Sequence, residues 1–151
     1  GLISPLLFFL VASVFYDRTH TRMMDQLGGL FVKMPVAAAI MAFAGFANLG
    51  LPGLSGFVGE FFTLVGTFDV FTTLVVIAAL GLVITAGYHL WMFQRVLMGK
   101  AEERLADINL RELVVGVPLM VLITVLGVYP PFALRVFNDS VAQVVARVGG
   151  V

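Results

Sequence analysis

The sequence contains no cysteine and few charged residues, which make up 12% of its 151 positions. Without cysteine it can form no disulfide, and it cannot hold an iron–sulfur cluster or a zinc ion through thiolates. A soluble domain carries about 25% charged residues, so this chain has too few polar side chains to cover a surface in water. The formal net charge of zero gives no electrostatic basis for binding nucleic acid. The composition therefore predicts an all-α integral membrane protein.

Long apolar runs predict about four transmembrane helices, since a spanning helix needs about 20 apolar residues. The sequence begins inside the first run, so we expect a fragment that starts within a helix of a longer protein. After the last run, polar residues recur every four positions. This pattern predicts an amphipathic helix, either on the membrane surface or packed on neighbouring loops. The predicted spans are residues 1–16, 35–68, 70–95 and 111–129, and the amphipathic tail is 132–148.

The basic residues predict how these spans are oriented. Seven of the nine Lys and Arg residues lie in or beside two loops, 17–33 and 96–111. Cytoplasmic loops carry the excess of basic residues, so both loops are predicted to be cytoplasmic and the C-terminus to lie on the opposite side.

Local signals mark where two of the helices begin. Asn109 and Glu112 have the spacing of a capping box, in which each residue binds the backbone of the other. Pro35 suits the first position of a helix, where its missing N–H group is not needed.

The second span is interrupted by "ANLGLPGLSGFVGEF", residues 47–61. A straight helix over 35–68 would be ~50 Å long, whereas the hydrocarbon core is about 30 Å thick. Proline and glycine weaken a helix interior, so we predict two half-helices, 35–49 and 56–68, with unwound backbone near 50–56. For the glycines and proline alone, a packing kink is the alternative. The residues predicted to support the break are Gly50, Pro52, Gly53, Ser55 and Gly56.

Glu60 is the only formal charge between Lys33 and Asp69. It is predicted to lie near the middle of the membrane, where a charged side chain costs about 2.5–3.5 kcal/mol. Carboxyl groups at that depth are typical of proton relays, which makes Glu60 the candidate proton carrier. Ser55 and Thr63 are its candidate hydrogen-bonding partners. The alternative is a static ion pair between Glu60 and a basic residue on a helix outside this sequence.

Tyr88 and His89 lie inside the third span. A histidine within a membrane can relay protons, so both residues, with Thr63, are candidates for the proton path. The alternative for His89 is a packing role with one hydrogen bond. The glycines of "GLPGLSG" lack the spacing of a nucleotide-binding fingerprint, and we expect neither a cofactor nor a metal site in this chain.

The interrupted segment, "FANLGLPGLSGFVGEF", resembles the broken helix of the antiporter-like subunits of respiratory complex I. "YDRTHTR", "YHLWMFQRVLMGK" and "NLRELVVGVPLMVLITVLGVYP" are similar to the M-type branch of that family. The resemblance runs over nearly the whole sequence. It implies that the chain forms the last four of fourteen helices of such a subunit.

The resemblance also implies a function. These subunits move protons across the membrane while other subunits transfer electrons from NADH to quinone. The broken helix holds the exit-side protonatable residue, usually lysine in L- and N-type subunits and glutamate in M-type subunits, which maps onto Glu60. The implied partners are the lipid bilayer and L- and N-type neighbours, in a bacterial inner membrane. Enzymatic activity would belong to the whole complex, with no redox centre in this chain.

Two alternative functions remain open from the sequence. One is the same fold in a multi-subunit cation/proton antiporter or a membrane-bound hydrogenase, which lysine at position 60 would have favoured. The other is a bracing role, in which these helices support the membrane arm and Glu60 forms a static pair.

Overall fold

In the computed structural model, which describes residues 1–99 and 104–148, every regular element is helical. The all-α prediction is confirmed for these residues. Two helices, Thr72–Val96 and Leu110–Val128, are long and apolar enough to cross a membrane, each with a mean hydropathy of 2.0. The predicted loop at 96–111 falls partly outside the described residues.

The first helical stretch contains a π-helical segment. Helix α1 (Ile3–Phe9) leads into the π segment (Leu10–Phe15), which continues as α2 (Tyr16–Thr19). The stretch ends at His20, whose φ of 54° turns the chain out of the helix. It therefore extends past the predicted end at residue 16. The sequence analysis did not predict the π segment, in which hydrogen bonds span five residues instead of four.

Helix is present on both sides of the predicted break. After a single helical turn, α3 (Leu30–Lys33), helix α4 covers Pro35–Asn48 and helix α5 covers Ser55–Phe68. Pro35 occupies the start of α4, as its fixed φ and missing N–H group predict. Residues 49–54 form turns. Ser55, predicted to be in the unwound link, is instead the first residue of α5.

The remaining helices are α6 (Thr72–Val96), α7 (Leu110–Val128) and α8 (Pro131–Val148). The predicted capping box at the start of α7 is confirmed. The Asn109 side chain accepts a hydrogen bond from the Glu112 backbone, and the Glu112 carboxylate accepts one from the Asn109 N–H at 2.7 Å. Helix α8 covers the region predicted as the amphipathic tail.

The buried core lies where the first helical stretch, α4, α7 and the end of α6 meet. Helix α1 packs against α4 and α7, and α5 packs against α6 and α7. The outer face of α6 is instead exposed and apolar. The largest fully buried side chains are Leu6, Leu10, Val14, Phe15, Leu30, Met34, Val96, Leu97 and Ile123.

A polar clamp, formed by Arg18, Asp107 and Glu112, joins the helices at one end of the molecule. The Arg18 guanidinium donates to both carboxylate oxygens of Glu112, at 3.0 and 2.8 Å. It also donates to the backbone carbonyls of Val14, Ala106 and Asp107. Because a bidentate arginine–carboxylate pair fixes both distance and orientation, the clamp holds the start of α7 against α2.

Asp107 extends the clamp to the start of the broken helix. Its carboxylate accepts hydrogen bonds from the N–H groups of Val36 and Ala37, at 2.8 and 3.0 Å, which otherwise lack partners in the first turn of α4. Partial burial raises the pKa of Asp107, but the N–H groups of Val36, Ile108 and Ala37 and the charge of Arg18 together hold the pKa below its ordinary value of 3.8.

Candidate functional site

The break between α4 and α5 depends on two glycines with left-handed backbone. Gly50 has a φ of 72° and Gly53 a φ of 93°. Other residues adopt such angles at a cost of roughly 1–2 kcal/mol. Between them, Pro52 contributes no N–H group and favours the turn. These three residues, which the sequence analysis named as support for the break, lie between the end of α4 at Asn48 and the start of α5 at Ser55.

The unwound backbone is packed closely through further glycines. A Cβ atom at Gly56 would overlap the carbonyl oxygen of Ala47, so the start of α5 lies directly against the end of α4. A Cβ at Gly127 would overlap the backbone of Gly53 and Leu54, so α7 covers the break from another side. Sequence reasoning missed Gly127. Its only signal was a small residue in an apolar helix, a common feature of close helix contacts.

Glu60 lies in α5, with its carboxylate beside the break. A Cβ at Gly50 would overlap the Oε2 atom of Glu60, so the absence of a side chain at Gly50 makes room for the carboxylate. The Glu60 side chain is partly exposed. Among the described residues, it forms no ion pair; the two ion pairs found are Arg18–Glu112 and Arg95–Asp25.

Two clefts meet at Glu60. One, of about 290 Å³, lies between α5 and α6. The other, of about 430 Å³, lies between α1, α5 and α7. The carboxyl group therefore borders space on two sides of α5. Besides Glu60, the first cleft is lined by Gly59, Thr63, Leu64, Ala78 and Leu82, and the second by Gly1, Leu2, Ile3, Ser55, Gly56, Gly59 and Leu126.

Ser55 and Thr63 lie in different clefts, on either side of Glu60. The Thr63 hydroxyl donates to the Gly59 carbonyl at 2.7 Å, a bond within the helix. The structure therefore brings both predicted partners near Glu60, but no hydrogen bond joins either side chain to the carboxylate among the described residues.

His89 and Tyr88 have different surroundings. His89 is buried, with 5% of its surface exposed, and both ring nitrogens have protein partners. Nε2 lies 2.9 Å from Asn48 Nδ2, and Nδ1 lies 3.0 Å from the Thr85 carbonyl oxygen. Tyr88 is 54% exposed, with its ring centroid 4.5 Å from that of His89. Sequence reasoning missed Asn48, because nothing in the sequence links two residues on separate helices.

The chemistry of the site is that of one carboxyl group beside unwound backbone. Across the described residues, no three His, Asp or Glu side chains are grouped as metal ligands. The end of α4 and the start of α5 meet at the break, so the partial charges of both helix ends lie near Glu60. Such meeting half-helix ends recur at the substrate and ion sites of transporters.

Comparisons with known proteins agree with the sequence resemblance. Residues 1–85 match the family model described as NADH:quinone oxidoreductase/Mrp antiporter, TM. The chain is 42% identical over 149 residues to the NADH-quinone oxidoreductase subunit M of Rhodobacter capsulatus, covering 96% of this chain and 29% of that protein. It is 38% identical over 149 residues to the NADH-ubiquinone oxidoreductase chain 4 of Marchantia polymorpha, covering 96% of this chain and 30% of that protein.

A solved structure shows the same fold. The chain is similar to a chain of respiratory complex I from Thermus thermophilus with bound NADH, with a TM-score of 0.77 and 29% sequence identity. The match covers 87% of this chain and 30% of that one. The chain thus spans about three tenths of the length of the proteins that it matches.

Proposed function

Because the chain belongs to the NADH:quinone oxidoreductase/Mrp antiporter transmembrane family, we propose that it is the C-terminal part of a proton-translocating M-type subunit of NADH:quinone oxidoreductase. The complete subunit couples electron transfer from NADH to quinone, carried out by other subunits, to proton movement across the membrane. In this chain, Glu60 is the exit-side proton carrier.

The observation that carries this proposal is the position of the Glu60 carboxylate. It lies against the unwound backbone at Gly50 and borders two clefts on different sides of α5. Unwound backbone at membrane depth is tolerated where it is buried in protein or lines a wet cavity, and broken helices recur at ion sites of transporters. A carboxyl group in this place can take a proton from one cleft and release it to the other.

The Glu60 carboxylate differs from one that is held in an ion pair. Both carboxylate oxygens of Glu112 are bound by Arg18. Glu60 has no such ion-pair partner among the described residues. Ser55 and Thr63, one in each cleft, are the proposed neighbours of the proton path.

A second candidate function is a subunit of a multi-subunit cation/proton antiporter, because the matching family model includes Mrp antiporters. The relatives from Rhodobacter capsulatus and Marchantia polymorpha are named as NADH oxidoreductase subunits and not as antiporter subunits. Glutamate rather than lysine at position 60 also favours the oxidoreductase by resemblance.

We further propose that the loops at 17–33 and 96–111 face the cytoplasm of a bacterium, with the C-terminus on the opposite side. The support is their basic residues and two contacts that join them. Arg18 Nε donates to the Ala106 carbonyl at 2.6 Å, and the Leu105 N–H donates to the Lys33 carbonyl at 3.1 Å. The two loops thus lie at the same end of the helices, as this orientation requires. L- and N-type subunits are the proposed neighbours in the membrane.

The experiment that tests the function uses the full-length subunit in the assembled complex with Glu60→Gln. Glutamine keeps the size of the side chain but cannot carry a proton. We expect the complex to assemble. NADH-driven proton uptake into vesicles and NADH:quinone electron transfer should fall together by about tenfold or more, because removing a proton-transfer group typically slows a reaction by at least that much.

Asp69→Asn is the matched control, because it makes the same chemical change to a carboxylate at the end of α5. It should leave both rates near those of the wild type. If Glu60→Gln also leaves both rates unchanged, Glu60 is dispensable and the proposal fails. Loss of assembly, with normal coupling in the complex that remains, would support the bracing role instead.

A further inference from the structure

His89 is the one polar side chain that is almost fully buried in the part of the chain that the structure describes. Burying a polar group costs free energy unless its hydrogen-bonding atoms are satisfied. Both ring nitrogens of His89 meet this requirement with protein groups, Asn48 and the Thr85 carbonyl. A side chain bonded on both nitrogens is fixed in position and orientation.

The two partners determine how the ring is bonded. The Thr85 carbonyl oxygen can only accept, so Nδ1 of His89 donates to it. Nε2 is then the acceptor, and the Asn48 side-chain amide donates to it across 2.9 Å. In this arrangement the hydrogen-bonding atoms of the ring are directed at Asn48 and the Thr85 backbone, and neither is directed at Glu60.

Asn48 occupies a special place in the chain. It is the last residue of α4, immediately before the turns at 49–54. Gly50, two positions later, is the residue that the Glu60 carboxylate approaches. The hydrogen bond from Asn48 to His89 therefore anchors the end of the half-helix from which the backbone beside Glu60 extends.

The same helix pair has an apolar contact one turn away. The Phe93 ring lies where a Cβ at Gly45 would be, and it meets the Phe46 ring edge-on at a centroid distance of 5.3 Å. This contact holds α4 against α6 without any polar group. The Asn48–His89 bond is thus a separate, directional contact at the end of α4 that is nearest the break.

We infer that His89 is a positioning residue: through its hydrogen bond to Asn48 it fixes the end of α4, and hence Gly50, beside the Glu60 carboxylate. It does not carry the proton itself. This inference rests on the proposed function, in which Glu60 is the carrier. It favours the packing alternative for His89 over the relay.

The test uses the full-length subunit in its assembled complex and measures the ratio of the rate of NADH-driven proton uptake to the amount of assembled complex. This ratio is insensitive to the amount of complex, so a general loss of folding does not change it. His89→Leu and Asn48→Leu should each lower the ratio several-fold. The double variant should be no worse than the more damaging single variant, since both changes remove the same bond.

His89→Gln separates positioning from proton transfer. Its amide can accept from Asn48 and donate to Thr85 but cannot relay a proton, so a positioning role predicts a ratio near that of the wild type. Phe93→Leu, the control in the same helix pair, should also keep the ratio. The inference is overturned if His89→Gln lowers the ratio as far as His89→Leu does while Asn48→Leu keeps the wild-type ratio, because the ring would then be a proton carrier. Additive losses of the ratio in the double variant, or a wild-type ratio in both single leucine variants, also overturn it.

Glu60→Gln in the same series distinguishes failure of the inference from failure of the proposed function. If Glu60→Gln pumps normally, the proposed function fails by itself. The Asn48–His89 bond is then tested by the thermal stability of the complex. The losses of stability caused by His89→Leu and Asn48→Leu should still be non-additive.

Discussion

The two ends of helix α4 are held in opposite ways. At its start, the Asp107 carboxylate binds the first backbone N–H groups, and Asp107 is itself part of the clamp with Arg18 and Glu112. At its end, the chain unwinds through Gly50, and the carboxylate that it meets, Glu60, has no ion-pair partner among the described residues. The start of α4 is therefore held by charged side chains that have partners, whereas its end lies beside a carboxylate that has no ion pair among the described residues.

This difference separates stability from chemistry within one helix. Carboxylates that are paired and hydrogen-bonded stay charged and hold the structure. A carboxylate without a fixed partner can change its charge when its surroundings change. The clamp therefore provides a rigid support, and in the proposed function the break provides the group that gains and loses a proton.

The largest expected effect comes from breaking the clamp with Arg18→Leu. The Arg18 and Glu112 side chains are only 10% and 17% exposed, so the change leaves a largely buried carboxylate without its charged partner. We expect a loss of about 3–5 kcal/mol in stability, measured as a lower thermal midpoint or failed assembly of the complex.

Arg95→Leu is the matched control for that change. Its pair with Asp25 has the same 2.8 Å distance, but the side chains are 49% and 78% exposed. An exposed pair contributes about 0–1 kcal/mol, so the variant should be nearly as stable as the wild type. Equal losses in the two variants would show that burial is not what makes the clamp strong.

A smaller effect is expected at the other end, from Gly50→Ala compared with Gly53→Ala. Both positions have left-handed backbone, so each change should cost about 1–2 kcal/mol. Only at Gly50 would the added methyl group displace the Glu60 carboxylate, since nothing lies within 4 Å of a Cβ at Gly53. Both variants should lose similar thermal stability, and only Gly50→Ala should strongly lower NADH-driven proton uptake. Normal uptake in Gly50→Ala would mean that the close approach of Gly50 and Glu60 is not needed.

Of the changes expected to destabilise the protein, Asp107→Asn should have the smallest effect, with a loss of ~1 kcal/mol for weakening a helix cap. The pKa of Asp107 is lowered in the folded protein, so its carboxylate stabilises the fold at pH values above 3.8 and loses that effect as the pH falls through the lower folded pKa. The difference in thermal midpoint between wild type and variant should be constant near neutral pH and shrink below pH 3.8. A difference that grows on acidification would contradict this role.

Local sequence signals predicted the features that depend on neighbouring residues. Pro52 and the surrounding glycines located the break, and Asn109 with Glu112 located the start of α7. The pairing of Arg18 with Glu112 joins residues 94 positions apart, and one sequence contains no information on which distant side chains meet. The same limit applies to Asn48 and His89. The role of Glu60 was inferred from its isolation in an apolar span and stays a prediction.

The π segment at Leu10–Phe15 has a consequence for how the sequence can change in evolution. Each residue of a helix turns the chain by about 100°, and the π segment accommodates one residue more than regular α-helix would. Deleting a single residue there would let the segment revert to α-helix while Arg18 keeps its direction relative to the buried face at Leu6. A one-residue deletion within the π segment can therefore be absorbed, whereas a one-residue deletion in the α-helix before or after it would turn Arg18 by about 100° relative to Leu6.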